Sequence, residues 1–515
     1  MRESLTGLIS DCIFGREGMT MLAFAGGKIS SVNTLFGAEA DIALRNDPCL
    51  FDARGMLVLP ALIDSHAHVL SAARFLYEIE VFAADDADIL VDLIRESPFS
   101  RAGFILAGRL NANRWTADER AKIQPTLESA FQDTPCLVKS VEQHSCYANT
   151  CAWNALDVAG VALRAGLSPD DTEAMQATGR IHGALYEELT IPLYDTFTLE
   201  QRREALHRFL DGLPRLGIGG VHALVGYGSD IAADIRLTME VAATRDDIDL
   251  TVWPRTQDIQ LVKELGLPRI GGCILIDGAI GARTAALMRP YDDDPANKGV
   301  LYFTQDEFTR FADDCAAAGL QLCVHAIGDA AIEQGLAAYE AIAPKHDLRS
   351  LRPRIDHWCL ATPWQCARAA QLGIASGMQP AFDHFWGGSD GAYYPALTSR
   401  ALSANALMTA LTAGMVIGGG SDAPITPLDP RLGIYAACNH TNPAESLSFD
   451  EAVEMFTRGS ASLSRVEGIK GMLAEGYDAD VAAFPGRTDA GNIAQREALL
   501  TVHAGKVVYR RESES

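Results

Sequence analysis

His66-Ala67-His68 closes the apolar run Met56-Leu57-Val58-Leu59-Pro60-Ala61-Leu62-Ile63-Asp64. Residues i and i+2 of a strand share one face, so two imidazoles at the end of a buried strand can grip one metal ion. Three later residues extend the pattern. His325 ends Leu322-Cys323-Val324, His357 ends Pro353-Arg354-Ile355-Asp356, and Asp422 follows Met415-Val416-Ile417-Gly418-Gly419-Gly420-Ser421. Each stands where a strand-like run stops. Imidazole nitrogen and carboxylate oxygen are the donors that a hydrolytic zinc site needs.

Positioning such donors takes several strands with their ends on one side. The middle of the chain alternates strand-like and helix-like stretches, the sign of a parallel sheet covered by helices. Eight candidate strands lie near residues 57–63, 219–224, 249–254, 273–277, 321–325, 354–357, 374–378 and 416–420, with helical stretches at 305–318 and 330–342. Eight such units predict a TIM (β/α)8 barrel, whose active site lies at the C-terminal ends of the strands. His66 and His68 fall at the first end, His222 at the second, Asp277 at the fourth, His325 at the fifth, His357 at the sixth and Asp422 at the eighth. About 150 residues separate the first two strands, too many for an ordinary connection. An inserted subdomain is expected at about 72–215, with strands near 104–108 and 136–141. Short strands and turns in residues 1–57 and 470–515 predict one small β-sandwich built from both chain ends. The barrel then occupies residues 58–469.

Composition narrows the partners. A formal net charge of −24 argues against nucleic acid, which selects for Lys and Arg excess. No apolar stretch has membrane-spanning length. The first residues lack the charged and apolar segments of a secretion signal. Eleven Cys without framework spacing read as reduced thiols, which places the protein in a cytoplasm. The expected partner is a small-molecule substrate, and a homodimer is allowed.

Leu59-Pro60-Ala61-Leu62-Ile63-Asp64-Ser65-His66-Ala67-His68, Gly183-Ala184-Leu185-Tyr186-Glu187 and Gly217-Ile218-Gly219-Gly220-Val221-His222 carry a family likeness. So do Asp277-Gly278-Ala279-Ile280-Gly281-Ala282-Arg283-Thr284-Ala285, Val324-His325-Ala326-Ile327-Gly328-Asp329, Gly420-Ser421-Asp422-Ala423-Pro424 and Gly476-Tyr477-Asp478-Ala479-Asp480. The chain resembles the amidohydrolase superfamily, in the branch of N-substituted formamide deformylase and the exoenzyme regulatory proteins (amidohydrolase family 3). The resemblance implies a metal-dependent hydrolase with His66, His68, His325, His357 and Asp422 at ligand positions. Many relatives carry a carboxylated Lys that bridges two metals. Cys273 stands there instead. Either the site holds one ion, or a Cys273 thiolate replaces the bridge. Zinc is favoured by the His-rich set, with iron, manganese and nickel as alternatives.

The implied reaction is cleavage of a non-peptide, amide-type C–N bond by a metal-bound hydroxide. Asp422 would take the proton from the attacking water and pass it to the leaving nitrogen; a helix-capping turn is its structural alternative. His222 would donate to the substrate carbonyl or buttress a ligand. His144 matches a substrate-side position of the family. Asp277 and Arg283 flank a Gly-rich loop, where they orient substrate or form a structural ion pair. Trp115 and the aromatics of Phe382-Asp383-His384-Phe385-Trp386 are candidate pocket walls, or ordinary core. Deamination of a heterocyclic base, ester or lactone hydrolysis, and a metal-free scaffold are the competing functions. Deaminases of this superfamily carry a Glu soon after the fifth-strand His; Ala326-Ile327-Gly328-Asp329 has none.

Overall fold

The computed structural model describes residues 3–101, 103–112, 115–140, 145–164, 166–182 and 184–512. The chain divides into two compact units. One holds residues 1–69, 207–226 and 235–515; the other holds 70–206 and 227–234.

Strands covered on both faces carry near-continuous apolar runs, and eight of these build the first unit. They are β1 (Leu62–Ala67), β2 (Ile218–Val225), β3 (Asp249–Pro254), β4 (Arg269–Leu275), β5 (Gln321–Ala326), β6 (Arg354–His357), β7 (Ala375–Met378) and β8 (Val416–Gly419). All pairings among them are parallel. They form two arcs, β3-β2-β1 and β4-β5-β6-β7-β8. β3 packs against β4, and Ala67 of β1 bridges in parallel to Ala423 just beyond β8. Helices Gln305–Ala317, Asp329–Ile342 and Pro363–Leu372 follow β4, β5 and β6. Their Phe308, Ile332, Leu336 and Tyr339 pack with Leu322, Val324 and Ile355 of the strands. Each such side chain contributes about 1.5–3 kcal/mol through burial.

The run expected as one strand over 57–63 is two. Met56–Pro60 pairs antiparallel with Val481–Pro485, in a sheet completed by Leu500–His503 and Lys506–Arg510. Pro60 has no N–H with which to extend that ladder. The N–H of Ala61 donates to Asp480 O and that of Leu62 to Gly217 O, so the chain changes sheets within two residues. The strand expected at 273–277 ends at Leu275, which leaves Asp277 in the following loop.

Residues Gly7–Ser10, Thr20–Ala25, Lys28–Thr34 and Leu50–Asp52 form a second four-stranded sheet. The two end sheets share one core, in which Leu8, Leu22, Phe24 and Ile29 meet Val58, Val481, Leu500 and Val502.

The other unit centres on a mixed five-stranded sheet. Its order is Arg180–His182, Ser145–Ala148, Cys136–Ser140, Ile105–Leu110, Ile79–Glu80. Helices Ala87–Glu96 and Ala117–Ala130 contribute Leu90, Ile94, Ile123 and Leu127 to one apolar core; Trp153, Val158 and Val161 belong to a second. Its limits differ from the expected 72–215. Residues 207–226 lead into β2 and go with the first unit, while Arg202–Asp234 and Ser229–Asp195 contacts draw the loop after β2 into the second.

One ion cluster ties distant segments of the first unit. Lys470 Nζ lies 2.6 Å from Asp249, 2.8 Å from Asp478 and 2.7 Å from Asp480. Asp480 also binds His503 at 3.1 Å and the N–H of Ala504. Burial would raise Asp480, but His503 and Lys470 hold it well below the ordinary carboxylate range. Lys470→Met leaves three carboxylates facing one another. We expect a loss of roughly 2–3 kcal/mol at neutral pH, reduced from the fully buried case by the exposure of Asp249. A depressed carboxylate stabilises above its unfolded pKa of about 4, and that contribution fades as pH falls through the folded value. The gap between the melting curves of Lys470→Met and wild type should therefore narrow below about pH 4.

Candidate metal centre

The backbone around the first two histidines is locked to the segment that carries Asp422. Asp64 Oδ1 accepts from the N–H of His66 at 3.0 Å and from that of Ser421 at 3.2 Å. The N–H of Asp422 donates to His66 O at 2.7 Å, and that of His68 to Ala423 O at 2.8 Å. Gly420 permits this approach: a Cβ there would lie 2.6 Å from that of His66.

The side chains then converge. His66 Nε2 and His68 Nε2 lie 3.3 and 3.1 Å from Asp422 Oδ1. Cys273 Sγ lies 3.7 Å from His357 Nε2 and 3.9 Å from His325 Nδ1. Two groups have donor atoms mutually within 4.8 Å: His66, His68 and Asp422, and His66, Cys273 and His357. His66 belongs to both. All six residues are buried.

Three of the histidines have a fixed tautomer. His66 Nδ1 donates to Asp356 Oδ2 at 2.7 Å, His357 Nδ1 to Gln379 Oε1 at 2.8 Å, and His325 Nε2 to Gly278 O at 3.1 Å. In the neutral ring that metal binding requires, the other nitrogen carries the lone pair and faces the cluster. His66 Nε2 is buried without a hydrogen-bond partner among the described residues. A divalent transition metal fits this donor set of imidazole, carboxylate and thiol.

Cys273 reaches the cluster through irregular backbone. The β4–β5 register slips between Ile270 and Ile274, and Gly271, Gly272 and Cys273 all have positive φ. Strict alternation, which would put Cys273 and Asp277 on one face, therefore does not apply. His357 (φ 71°) and Asp422 (φ 57°) are likewise left-handed. Non-glycine residues there cost of order 1–3 kcal/mol each, and such strain gathers at functional sites.

Charge compensates charge among these side chains. Burial would raise the Cys273 thiol, but His66, His325 and His357 bring it well below the ordinary range. Burial would raise Asp422 too, and His66 and His68 hold it low. His325 is pushed up to about 8, since Cys273 and Asp277 outweigh its burial.

The remaining expected site residues are placed as follows. His222 lies within β2, with three strand residues beyond it. Its Nδ1 accepts from Arg354 Nη1 at 3.1 Å; burial and then Arg354 keep it far below the ordinary imidazole range, hence neutral. Asp277 and Arg283 do not pair. Asp277 accepts the N–H groups of Ala286, Ile327 and Gly328, which ties the loops after β4 and β5 together. Arg283 pairs with Asp293. Trp115 packs in a core of the second unit, its indole N–H donating to Ala84 O. The ring of Phe382 lies 6.0 Å from that of His357 and nearly parallel to it. His144 lies outside the described residues. Sequence reasoning passed over Asp356, Arg354 and Gln379, although Arg354-Ile355-Asp356-His357 has the period of two that puts both charges on one face.

A profile described as the amidohydrolase family matches residues 50–509. The chain is 29% identical to the amidohydrolase-like protein YtcJ of Bacillus subtilis (strain 168), over 89% of this chain and 90% of that one. It is 23% identical to N-substituted formamide deformylase of Arthrobacter pascens, over 95% and 94%. An uncharacterized metal-dependent hydrolase from Pyrococcus horikoshii OT3 shares the fold, with a TM-score of 0.77 and 22% identity over 95% of this chain and 99% of that one.

If Cys273 binds metal as a thiolate, the cobalt-loaded protein will show sulfur-to-metal charge-transfer absorption. Cys273→Ser should abolish that band and lower the metal content after dialysis. An unchanged spectrum would make Cys273 a bystander.

Proposed function

This chain belongs to the amidohydrolase family, and from that premise we propose that it is a metal-dependent hydrolase of a non-peptide, amide-type C–N bond in a small molecule. The observation that carries the reading is the set of three histidines whose outward nitrogens are spent on Asp356, Gln379 and Gly278 O. Rings held that way are built to coordinate. His66, His68 and Asp422 would hold metal on one side, with Cys273, His325 and His357 on the other; the single free lone pair of His66 Nε2 serves one ion only. Such a set accommodates one ion or two, zinc being the first choice for its mixture of nitrogen, oxygen and sulfur. The two strand arcs are taken to close into one (β/α)8 barrel, with residues 1–57 and 470–515 as its β-sandwich.

A divalent ion bound there supplies Lewis acidity, polarising a carbonyl and making water easier to deprotonate. Asp422 supplies the base. It stays ionised at neutral pH, and its Oδ1 faces His66 and His68. Oδ2 is then the oxygen that takes the proton of the attacking water and returns it to the leaving nitrogen. Asp277, bonded to three backbone N–H groups, holds its loops and takes no part in proton transfer. The relative named for N-substituted formamides puts N-formyl and N-acyl amines first among substrates to try.

The test is a panel of N-substituted formamides, N-acyl amines, lactones and amino-heterocycles, followed by product analysis. Amide cleavage that disappears on chelation and returns with zinc supports the reading. Ammonia release from the heterocycles alone would make the protein a deaminase. Asp422→Asn should keep the fold and lower kcat about 10²–10⁴-fold, the usual contribution of a general base. Near-normal turnover in that variant would remove Asp422 from the role.

A further inference from the structure

Arg354 is a cation with no solvent exposure. An isolated buried guanidinium would cost several kcal/mol, so its partners explain why it is there. Nε donates to Asp356 Oδ1 at 3.1 Å and Nη2 to Asp356 Oδ2 at 2.6 Å, a bidentate pair. Nη2 also donates to Ser65 O at 2.9 Å, and Nη1 to His222 Nδ1 at 3.1 Å. The guanidinium lies 4.5 Å from the centre of the Trp253 ring. Asp356 is equally committed. Its Oδ1 takes the N–H of Gly377 at 2.8 Å, and its Oδ2 takes His66 Nδ1 at 2.7 Å.

These bonds form one continuous path from His222 through Arg354 and Asp356 to His66. The alternatives for His222 are poor. It stands inside β2, and it borders a cavity of about 200 Å³ whose other walls include Ala61, Asp249, Lys470 and Asp480. Asp249 is the first residue of β3, so that cavity lies against the N-terminal ends of the strands.

We propose that His222 and Arg354 are positioning residues for the metal centre: His222 orients the guanidinium, the guanidinium orients Asp356, and Asp356 sets the ring angle and tautomer of His66. Arg354 acts on the same ligand a second way, since its bond to Ser65 O fixes the peptide before His66. Without Arg354, the Asp356 carboxylate loses its bidentate clamp and the peptide before His66 loses an anchor, so the His66 ring is no longer held at one angle toward the cluster. Losing the partner behind a metal-bound histidine typically costs 10–100-fold in metal affinity.

The inference rests on the reading of this cluster as a metal centre, and the experiment separates the two. Zinc affinity is measured by chelator competition, and the visible spectrum is recorded with cobalt, for wild type, His66→Ala, Arg354→Met, His222→Leu and His222→Gln. Arg354→Met should bind zinc about 10–100-fold more weakly, with a changed cobalt band. His222→Leu should shift in the same direction. His222→Gln, whose amide oxygen still accepts from Arg354, should stay near wild type. Should Arg354→Met fail to fold, Arg354→Met/Asp356→Asn removes the unpaired charge, and weakened zinc binding in that double variant is the expected result. Wild-type affinity and spectrum in Arg354→Met, or in the double variant when it stands in, overturn the positioning role alone. Wild type that binds no zinc, or His66→Ala that binds it undiminished, overturns the metal-centre reading and this inference with it.

Discussion

An imidazole can offer a lone pair to a metal only if its second nitrogen has somewhere to put its proton. At His66 that place is Asp356, 2.7 Å away and fully buried. Much of the surrounding architecture is what allows a carboxylate to exist there. Arg354 neutralises it, and Gly377 gives it a backbone donor. Burial alone would raise Asp356; Arg354 and His66 keep it well below the ordinary range. The same requirement recurs with weaker partners at His357, which uses an amide, and at His325, which uses a peptide carbonyl. The strongest acceptor is spent on the one ring shared by both donor groups.

The cluster also shows where a scaffold of parallel strands bends to chemistry. Three of the six donors come from backbone that L residues adopt reluctantly. Those conformations survive because hydrogen bonds elsewhere over-determine them. Asp422 is pinned by its own N–H and by the Asp64–Ser421 contact, and the β4 irregularity is absorbed by two adjoining glycines. Regular strands would have been cheaper, but they alternate and could not turn Cys273 toward His325 and His357.

Much of this was legible in the residues. Strands buried on both faces read as apolar runs, and a polar residue that ends one is conspicuous; His325, His357 and Asp422 stood out for that reason. His222 misled for the same reason. It interrupts an apolar run without ending the strand. The division at Pro60 and Ala61 left no mark, because both halves are equally apolar and only the partner strands differ. Cys273 was opaque to any periodic argument, since its direction follows from a register slip; Gly271-Gly272 was the signal that periodicity fails there. Arg283 and Trp115 have chemistry that suits binding equally well as structure. Local salt-bridge geometry and core packing, which no spacing reveals, engaged them elsewhere.

The sheet that joins Met56–Pro60 to Val481–Pro485 sets a condition on how the protein is made. The early strand leaves the ribosome with apolar Leu57, Val58 and Leu59 and no neighbour on the side where the late strand belongs. Roughly four hundred residues must follow before that neighbour exists, and at about 5–20 residues per second the wait is roughly 20–80 s. Throughout that interval the nascent chain carries an open, β-prone edge beside a growing set of parallel strands. Synthesis of this protein thus has an aggregation-exposed interval built into its topology, which closes once residue 485 has emerged.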